Sequence, residues 1–442
     1  MTMPNSDGYA RRLGLFSATM MVIGGIIGSG IFINPAVVAA RLGTPGLTMW
    51  VWGIGTVIAL LGAFVFAELG ARRPSAGGGY AYLREAFGSL SGFLYAWSLL
   101  LIIATGAAAA VAMTFAGYAL TLLGWSPDSR QPLAAGAIVA LTLLNLVGVR
   151  PAAWSQNIFT VLKLLAIGAL IIAGLFLVGP VGVAAGEAIQ PSETAWPLLI
   201  GSALVPVLFA FGGWQQTNFV AEEIIAPERN LPRALVIGVA AVAAAYLLVN
   251  LAYLEALGIN GLARSVAPAA DTMTTVVGSW GRTLITAGIV ASTFGFLNLV
   301  LLVSPRVYQA MARDGLFFAS FARLHPRWRT PVTAIVVQGC WAIILVYSGS
   351  YGQLLDYVVF ADWIFFGLTA ATLFVLRRRD GDTVPAYRAP GHPVSTLLFI
   401  AAAAWVVAGS IGSNPGNALR GIVLLLLGVP VYHYWQARLR HS

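Results

Sequence analysis

Apolar runs of bilayer-crossing length follow one another through nearly the whole chain, divided by short connections. In the first half they cover about Leu13 to Ala40, Gly46 to Leu69, Leu90 to Leu123, Pro132 to Val149, Ala153 to Val178 and Pro197 to Val220. In the second half come Leu235 to Leu257, Leu284 to Val307, Val332 to Tyr347, Leu354 to Leu376, Val394 to Ile411 and Gly421 to Trp435, twelve runs altogether. A hydrocarbon core of about 30 Å, at about 1.5 Å of rise per residue, asks for about 20 residues per helix. Twelve helices use roughly 240 residues on that arithmetic, so the 442-residue chain has no space for a separate soluble domain. Composition agrees, with 59% hydrophobic and 9% charged residues, against about 45–50% and about 25% in a soluble domain. A soluble enzyme is excluded, and the expected fold is an all-α membrane protein of twelve transmembrane helices. The first run follows Arg11 and Arg12 as a signal peptide would. It is roughly twice the length of an ordinary signal core and lacks a convincing cleavage site, so it reads as a helix of the mature protein.

The formal charge is +9, and 24 of the 25 basic residues are arginines set mostly between apolar runs rather than in a patch among polar residues. That pattern reads as membrane orientation and not as nucleic-acid binding. With both termini cytoplasmic, nineteen arginines fall on the cytoplasmic side and five, Arg41, Arg130, Arg264, Arg282 and Arg420, on the other. The bias predicts a multi-pass protein of the cell's inner (plasma) membrane with both termini inside. Trp125, Trp154, Trp196, Trp280 and Trp435 fall near the expected helix ends, where indoles favour the headgroup region. The single cysteine, Cys340, rules out an intrachain disulfide or a multi-cysteine metal site. No cluster of nucleophile, base or metal ligands is expected at one depth, so neither a membrane-embedded enzyme nor a metal or other cofactor is expected.

Two of the runs are interrupted. The first contains Gly24-Gly25-Ile26-Ile27-Gly28-Ser29-Gly30, four glycines in seven residues, and the sixth contains Phe209-Ala210-Phe211-Gly212-Gly213-Trp214 at a comparable depth. Each glycine lowers helix propensity by about 1 kcal/mol relative to alanine, so both are credible places for a helix to unwind. Unwound backbone survives at membrane depth only where it lines a cavity and its polar groups are satisfied there. A half-helix amino terminus offers N–H groups to a carboxylate, and a half-helix carboxyl terminus offers carbonyls to an ammonium, so a zwitterionic amino acid fits both. The competing reading is that the glycines simply allow close helix packing. The glycine order at Gly25, Gly28 and Gly30 reverses a dinucleotide fingerprint and lacks a phosphate-loop lysine. Ser75 to Tyr82 reads as a turn leading into a membrane-surface segment.

The runs Gly24 to Pro35 (GGIIGSGIFINP), Phe66 to Gly88, Phe209 to Ala234 (FAFGGWQQTNFVAEEIIAPERNLPRA) and Ser304 to Phe318 together resemble the amino acid-polyamine-organocation permeases, and among them the L-type amino acid transporters. The resemblance implies a five-plus-five inverted repeat, residues 13–178 and 197–376, with two extra carboxyl-terminal helices over 394–435, and alternating access around a site between the first and sixth helices. Carried over by motif, Gly28, Ser29 and Gly30 would hold the substrate carboxylate, and the carbonyls of Ile26, Phe209, Ala210 and Gly212 its amine. Phe209 would close the pocket as a gate, with Trp214 and Gln215 near the substrate side chain; for both aromatics the alternative is core packing. The connection Gly124 to Gln131 has no cysteine, so the disulfide to a heavy subunit found in animal members is excluded at that loop.

Lys163 and Asp362 are the charged residues well inside expected helices, where each costs about 2.5 to 3.5 kcal/mol on insertion scales and calls for a partner or a function. Lys163, the only lysine, lies on the fifth run. Sodium-independent members of the resembled family place such a lysine where a cation sits in sodium-coupled relatives. That implies a coupling role for Lys163 and sodium-independent transport, with exchange favoured. Asp362 either faces the substrate pathway or sits at an unwound end. Glu222, Glu223, Glu228 and Arg229 read as solvated cytoplasmic charges, with a gating ion pair as the alternative. The expectation is a secondary transporter of amino acids in a lipid bilayer. Proton symport, uniport and polyamine transport stay open, as do the substrate and the oligomeric state.

Overall fold

The computed structural model describes residues 9–178, 196–348, 351–413 and 415–441. Among these the architecture is helical throughout, and extended pairing is confined to one isolated bridge between Leu13 and Ile224. The first apolar run forms two helices, α1 (Leu15–Ile26) and α2 (Gly30–Leu42), parted at the glycine cluster. After α3 (Pro45–Arg72), whose start is capped by Thr44, the residues around Ser75 to Gly78 turn and lead into the short α4 (Gly79–Phe87). The third run comprises α5 (Ser89–Ser98), one π-helical turn at Leu99–Ile103, and α6 (Ala104–Leu123). Next come α7 (Arg130–Leu146) and α8 (Val149–Phe176). The sixth run is α9 (Trp196–Ala210), a turn, and a 3-10 segment over Trp214–Glu223. The interruption at Phe209 to Trp214 is therefore real, but the second half is wound more tightly than an α-helix.

The remaining elements are α10 (Pro227–Arg264), α11 (Pro268–Val277), α12 (Ser279–Val303), α13 (Pro305–Arg313), α14 (Ala319–Ala322), α15 (Val332–Ser348), α16 (Tyr351–Asp380), α17 (Val394–Ser413), α18 (Pro415–Leu426) and α19 (Gly428–His441). Among the described residues, ten helical segments are long and apolar enough to cross a membrane. The fourth and ninth runs form α7 and α15, each of 17 residues and shorter than those ten.

Position in the bundle follows from burial. In the most apolar window of α1–α2, 89% of residues are buried, against 28% in α17. The broken first helix is therefore the centre, enclosed by α8, α10, α12, the 3-10 segment and α9, while α17 lies on the periphery. Trp125, Trp154 and Trp280 are exposed, as interfacial anchors would be. Trp435 is not: it is buried against Phe317 and Phe318, so packing rather than a headgroup contact holds it. The side chain of Trp196 lies outside the described residues.

Candidate functional site

The two interruptions cross each other in backbone contact. Gly213 has φ 105°, a left-handed conformation, and a Cβ there would come within 2.0 Å of the Gly25 carbonyl oxygen. A Cβ on Gly30 would meet Ala210 Cα at 2.8 Å. Both readings of the glycines therefore hold together: they allow the close crossing, and the crossing leaves two helix breaks face to face.

The C-terminal carbonyls of α1 are held by side chains from three other helices. Lys163 on α8, fully buried, donates from Nζ to Gly24 O at 3.1 Å and to Ile27 O at 2.6 Å. Among the described residues it forms no ion pair with a carboxylate. The negative end of the half-helix dipole supplies the compensation instead. Ser292 on α12 donates toward Ile27 O and Gly28 O at 3.2 and 3.3 Å. The Tyr246 hydroxyl on α10 lies 3.2 Å from both Ile26 O and Ala210 O, bridging the two breaks.

The backbone groups expected to read a zwitterion are thus partly engaged. Gly28 N donates to Ile26 O at 2.9 Å, and Gly212 N to Phe209 O at 3.1 Å. The first N–H groups of α2 have no partner within their own helix, so the amino-terminal end at Ser29 and Gly30 retains the donors that an anion needs. Each carbonyl has a second lone pair, so an ammonium could share Ile26, Phe209 and Ala210 with the present donors.

A cavity sits at this crossing, walled by both helix breaks. Ile26, Gly28, Ser29 and Gly30 line it from the first break, and Phe209, Ala210, Gly212 and Gln215 from the second. Asp362 on α16 also lines it, so this carboxylate faces the cavity rather than an unrelated helix end. Trp214 does not line it. The indole is buried between α3, α16 and α17, stacked on Phe366 at 5.6 Å and edge-on to Phe66 at 4.9 Å, which is the core-packing alternative. Gln215 lines the wall while its Oε1 accepts from Gly213 N at 3.0 Å, which stabilises the turn. Lys163 stands behind the wall and not in it.

Several wall and support residues were not anticipated from the sequence. Gln216 and Phe296 line the cavity, and so do Leu99 and Ile103 of the π-helical turn. Such turns occur often at functional sites, but nothing in a run of leucine and isoleucine announces one. Tyr246 and Ser292 sit in ordinary apolar helices. Only Gln216, adjacent to Gln215 in the second interruption, was within reach of the motif.

Beyond the breaks, the charges expected to be solvated are not all so. Glu223, 2% exposed, pairs with fully buried Arg306 at 2.8 Å. Its backbone carbonyl accepts from Arg12 N at 2.8 Å and Leu13 N at 2.9 Å, while Arg306 lies 5.6 Å from the Tyr9 ring centroid. Burial leaves no water to solvate Glu223, so it takes the ion-pair alternative. Glu222, 3.5 Å from Arg313, is the partly exposed pair. Glu68, fully buried at the end of α3, is held by Arg72, Arg377 and the Ala389 N–H. Arg73, outside the spanning segment, has its pKa raised chiefly by hydrogen bonds to Asp380 and stays firmly cationic.

The sequence matches the family model described as amino acid permease over residues 13–429. It is 34% identical to the large neutral amino acids transporter small subunit 2 of Mus musculus, covering 96% of this chain and 82% of that protein. It is 32% identical to the serine/threonine exchanger SteT of Bacillus subtilis, covering 98% of each, and 35% identical to the Asc-type amino acid transporter 1 of Mus musculus, covering 97% and 82%. Motif order, two facing helix breaks and end-to-end similarity agree, and the chain belongs to the amino acid permease family of multi-pass membrane transporters.

Proposed function

We propose that the protein is a sodium-independent amino acid exchanger that works by alternating access. The substrate zwitterion lies between the breaks, its carboxylate on the N–H groups at Ser29 and Gly30 and its amine on the carbonyls at Ile26, Phe209, Ala210 and Gly212. Phe209 gates the cavity, and twelve helices in a five-plus-five inverted repeat, residues 13–178 and 197–376, surround it. Both termini are cytoplasmic, and no disulfide-linked heavy subunit is required. The relatives named as transporters and exchangers support this reading.

The observation that carries it is the Lys163 ammonium on the Gly24 and Ile27 carbonyls. Carbonyls at the end of an unwound half-helix are the groups that coordinate a coupling cation in transporters of this kind. A fixed ammonium on them fills that electrostatic role without sodium, and it ties α8 to the substrate-binding break.

The test is amino acid uptake into proteoliposomes. Internal unlabelled substrate should accelerate uptake, and replacing external sodium by choline should leave it unchanged. Lys163→Ala should lower turnover by at least about tenfold, the equivalent of about 1.4 kcal/mol, while the protein still purifies as a folded monodisperse species. Sodium-stimulated uptake, or normal turnover by Lys163→Ala, would overturn the proposal.

A further inference from the structure

The cavity holds polar atoms that the protein leaves unpaired. Ser29 Oγ, Gln216 Oε1 and Asp362 Oδ1 are all buried without a hydrogen-bond partner, and all three residues line this one cavity. Ser29 belongs to the amino-terminal end of α2, where the substrate carboxylate is read. Gln216 and Asp362 come from the 3-10 segment and α16, outside the two breaks that hold the zwitterion. Both orphan atoms are acceptors, and no basic side chain pairs with Asp362 among the described residues. Most of the other lining side chains are apolar, among them Val358, Val359 and Phe366 on α16 and Leu99 and Ile103 of the π-helical turn.

An unpaired carboxylate oxygen and an unpaired amide oxygen in one largely apolar cavity are matched by a ligand that brings hydrogen-bond donors. A large apolar side chain would strip water from both acceptors and replace it with nothing. A side chain ending in an ammonium or hydroxyl would satisfy them. The cation does more, because it also neutralises a charge held away from bulk water.

We propose that this transporter selects amino acids with donor-tipped side chains, lysine-like cations first, and that Asp362 with Gln216 reads that tip. The proposal rests on the cavity being the amino acid site, as argued under Proposed function. Asp362 is then a specificity residue, and the apolar stem of the substrate packs along α16 while its tip reaches the carboxylate.

Two near-isosteric comparisons test it without any mutation. Competition against uptake of a labelled amino acid in proteoliposomes is measured for lysine against norleucine and for threonine against valine. In each pair the donor-bearing member should compete at least about tenfold better, since a site that hydrogen-bonds a substrate group rejects the analogue lacking it. Asp362→Asn should shrink the lysine-to-norleucine ratio to near one. If Asp362→Asn fails to transport, thermal stabilisation of the wild-type protein in detergent should still rank lysine above norleucine. Equal competition within both pairs overturns the selectivity while leaving amino acid exchange standing. An unchanged ratio in a folded Asp362→Asn protein overturns the assignment to Asp362. Absence of uptake for every amino acid overturns the underlying functional reading instead.

Discussion

Gly213 is the residue on which the crossing depends most directly. Its φ of 105° and the 2.0 Å approach of a would-be Cβ to the Gly25 carbonyl leave no side chain that fits. Gly213→Ala should therefore force the breaks apart, costing about 1–3 kcal/mol in backbone strain alone, and the yield of folded protein should fall together with transport. Normal yield and transport would show that the crossing can relax. Gly30→Val behaves in the same way, because the added carbons meet Ala210. Loss of transport in that variant reports on helix packing and does not isolate the carboxylate contact. Tyr246 allows a finer experiment. One phenolic proton serves two carbonyls at 3.2 Å, so it can donate to only one of them at a time. Tyr246→Phe should cost about 1 kcal/mol, as a neutral hydrogen bond does, seen as a lowered thermal midpoint in detergent with slower exchange. If both are unchanged, the hydroxyl does not tie the breaks together.

At the scale of elements, the 3-10 segment is anchored at its far end by charge. The Glu223–Arg306 pair joins it to α13, and the Leu13–Ile224 bridge ties the approach to α1 onto the same segment. An ion pair so deeply buried is costly to break from one side, by about 3–5 kcal/mol, because the surviving charge has no partner. Arg306→Met should accordingly destabilise the protein much more than the double variant Glu223→Gln/Arg306→Met. A double-mutant cycle on thermal inactivation measures the difference, and equal losses in single and double variants would show that the pair does not act as a unit. The backbone bonds from Arg12 and Leu13 to the Glu223 carbonyl, with the Leu13–Ile224 bridge, hold the approach to α1 against the end of the 3-10 segment.

On the scale of the whole molecule, the broken first helix lies at the centre and receives bonds from α8, α10 and α12. A second set of charges, fully buried Glu68 with Arg72 and the partly exposed Arg377, and Asp380 with Arg72 and Arg73, closes α3 onto α16. The connection Gly124 to Gln131 offers no cysteine for a disulfide-linked partner, so purified protein on its own should catalyse exchange in liposomes. Activity appearing only after a partner glycoprotein is added would contradict that expectation.

Membrane residence, the helical class and both helix interruptions were legible in the amino-acid order, because bilayer thickness and glycine propensity act locally along a chain. Ile26, Gly28, Ser29, Gly30, Phe209, Ala210, Gly212 and Gln215 were marked by the resemblance of the two interrupted motifs to a known family and not by local physics, and all of them line the cavity. Lys163 was marked by the cost of a charge at that depth, although its bonds to Gly24 and Ile27 could be seen only once α8 was packed against α1. Trp214, one residue from the cavity wall, turned instead into the aromatic cluster with Phe66 and Phe366. Glu223 found Arg306 eighty-three positions away. Tyr246 and Ser292 acquired their places from helices that carry no motif at all. Local physics sets which segments are helical and where they break. Which side of a break faces the cavity, and which carbonyl a distant hydroxyl or ammonium reaches, depends on rotation and packing of helices far apart in sequence, and only the assembled bundle decides it.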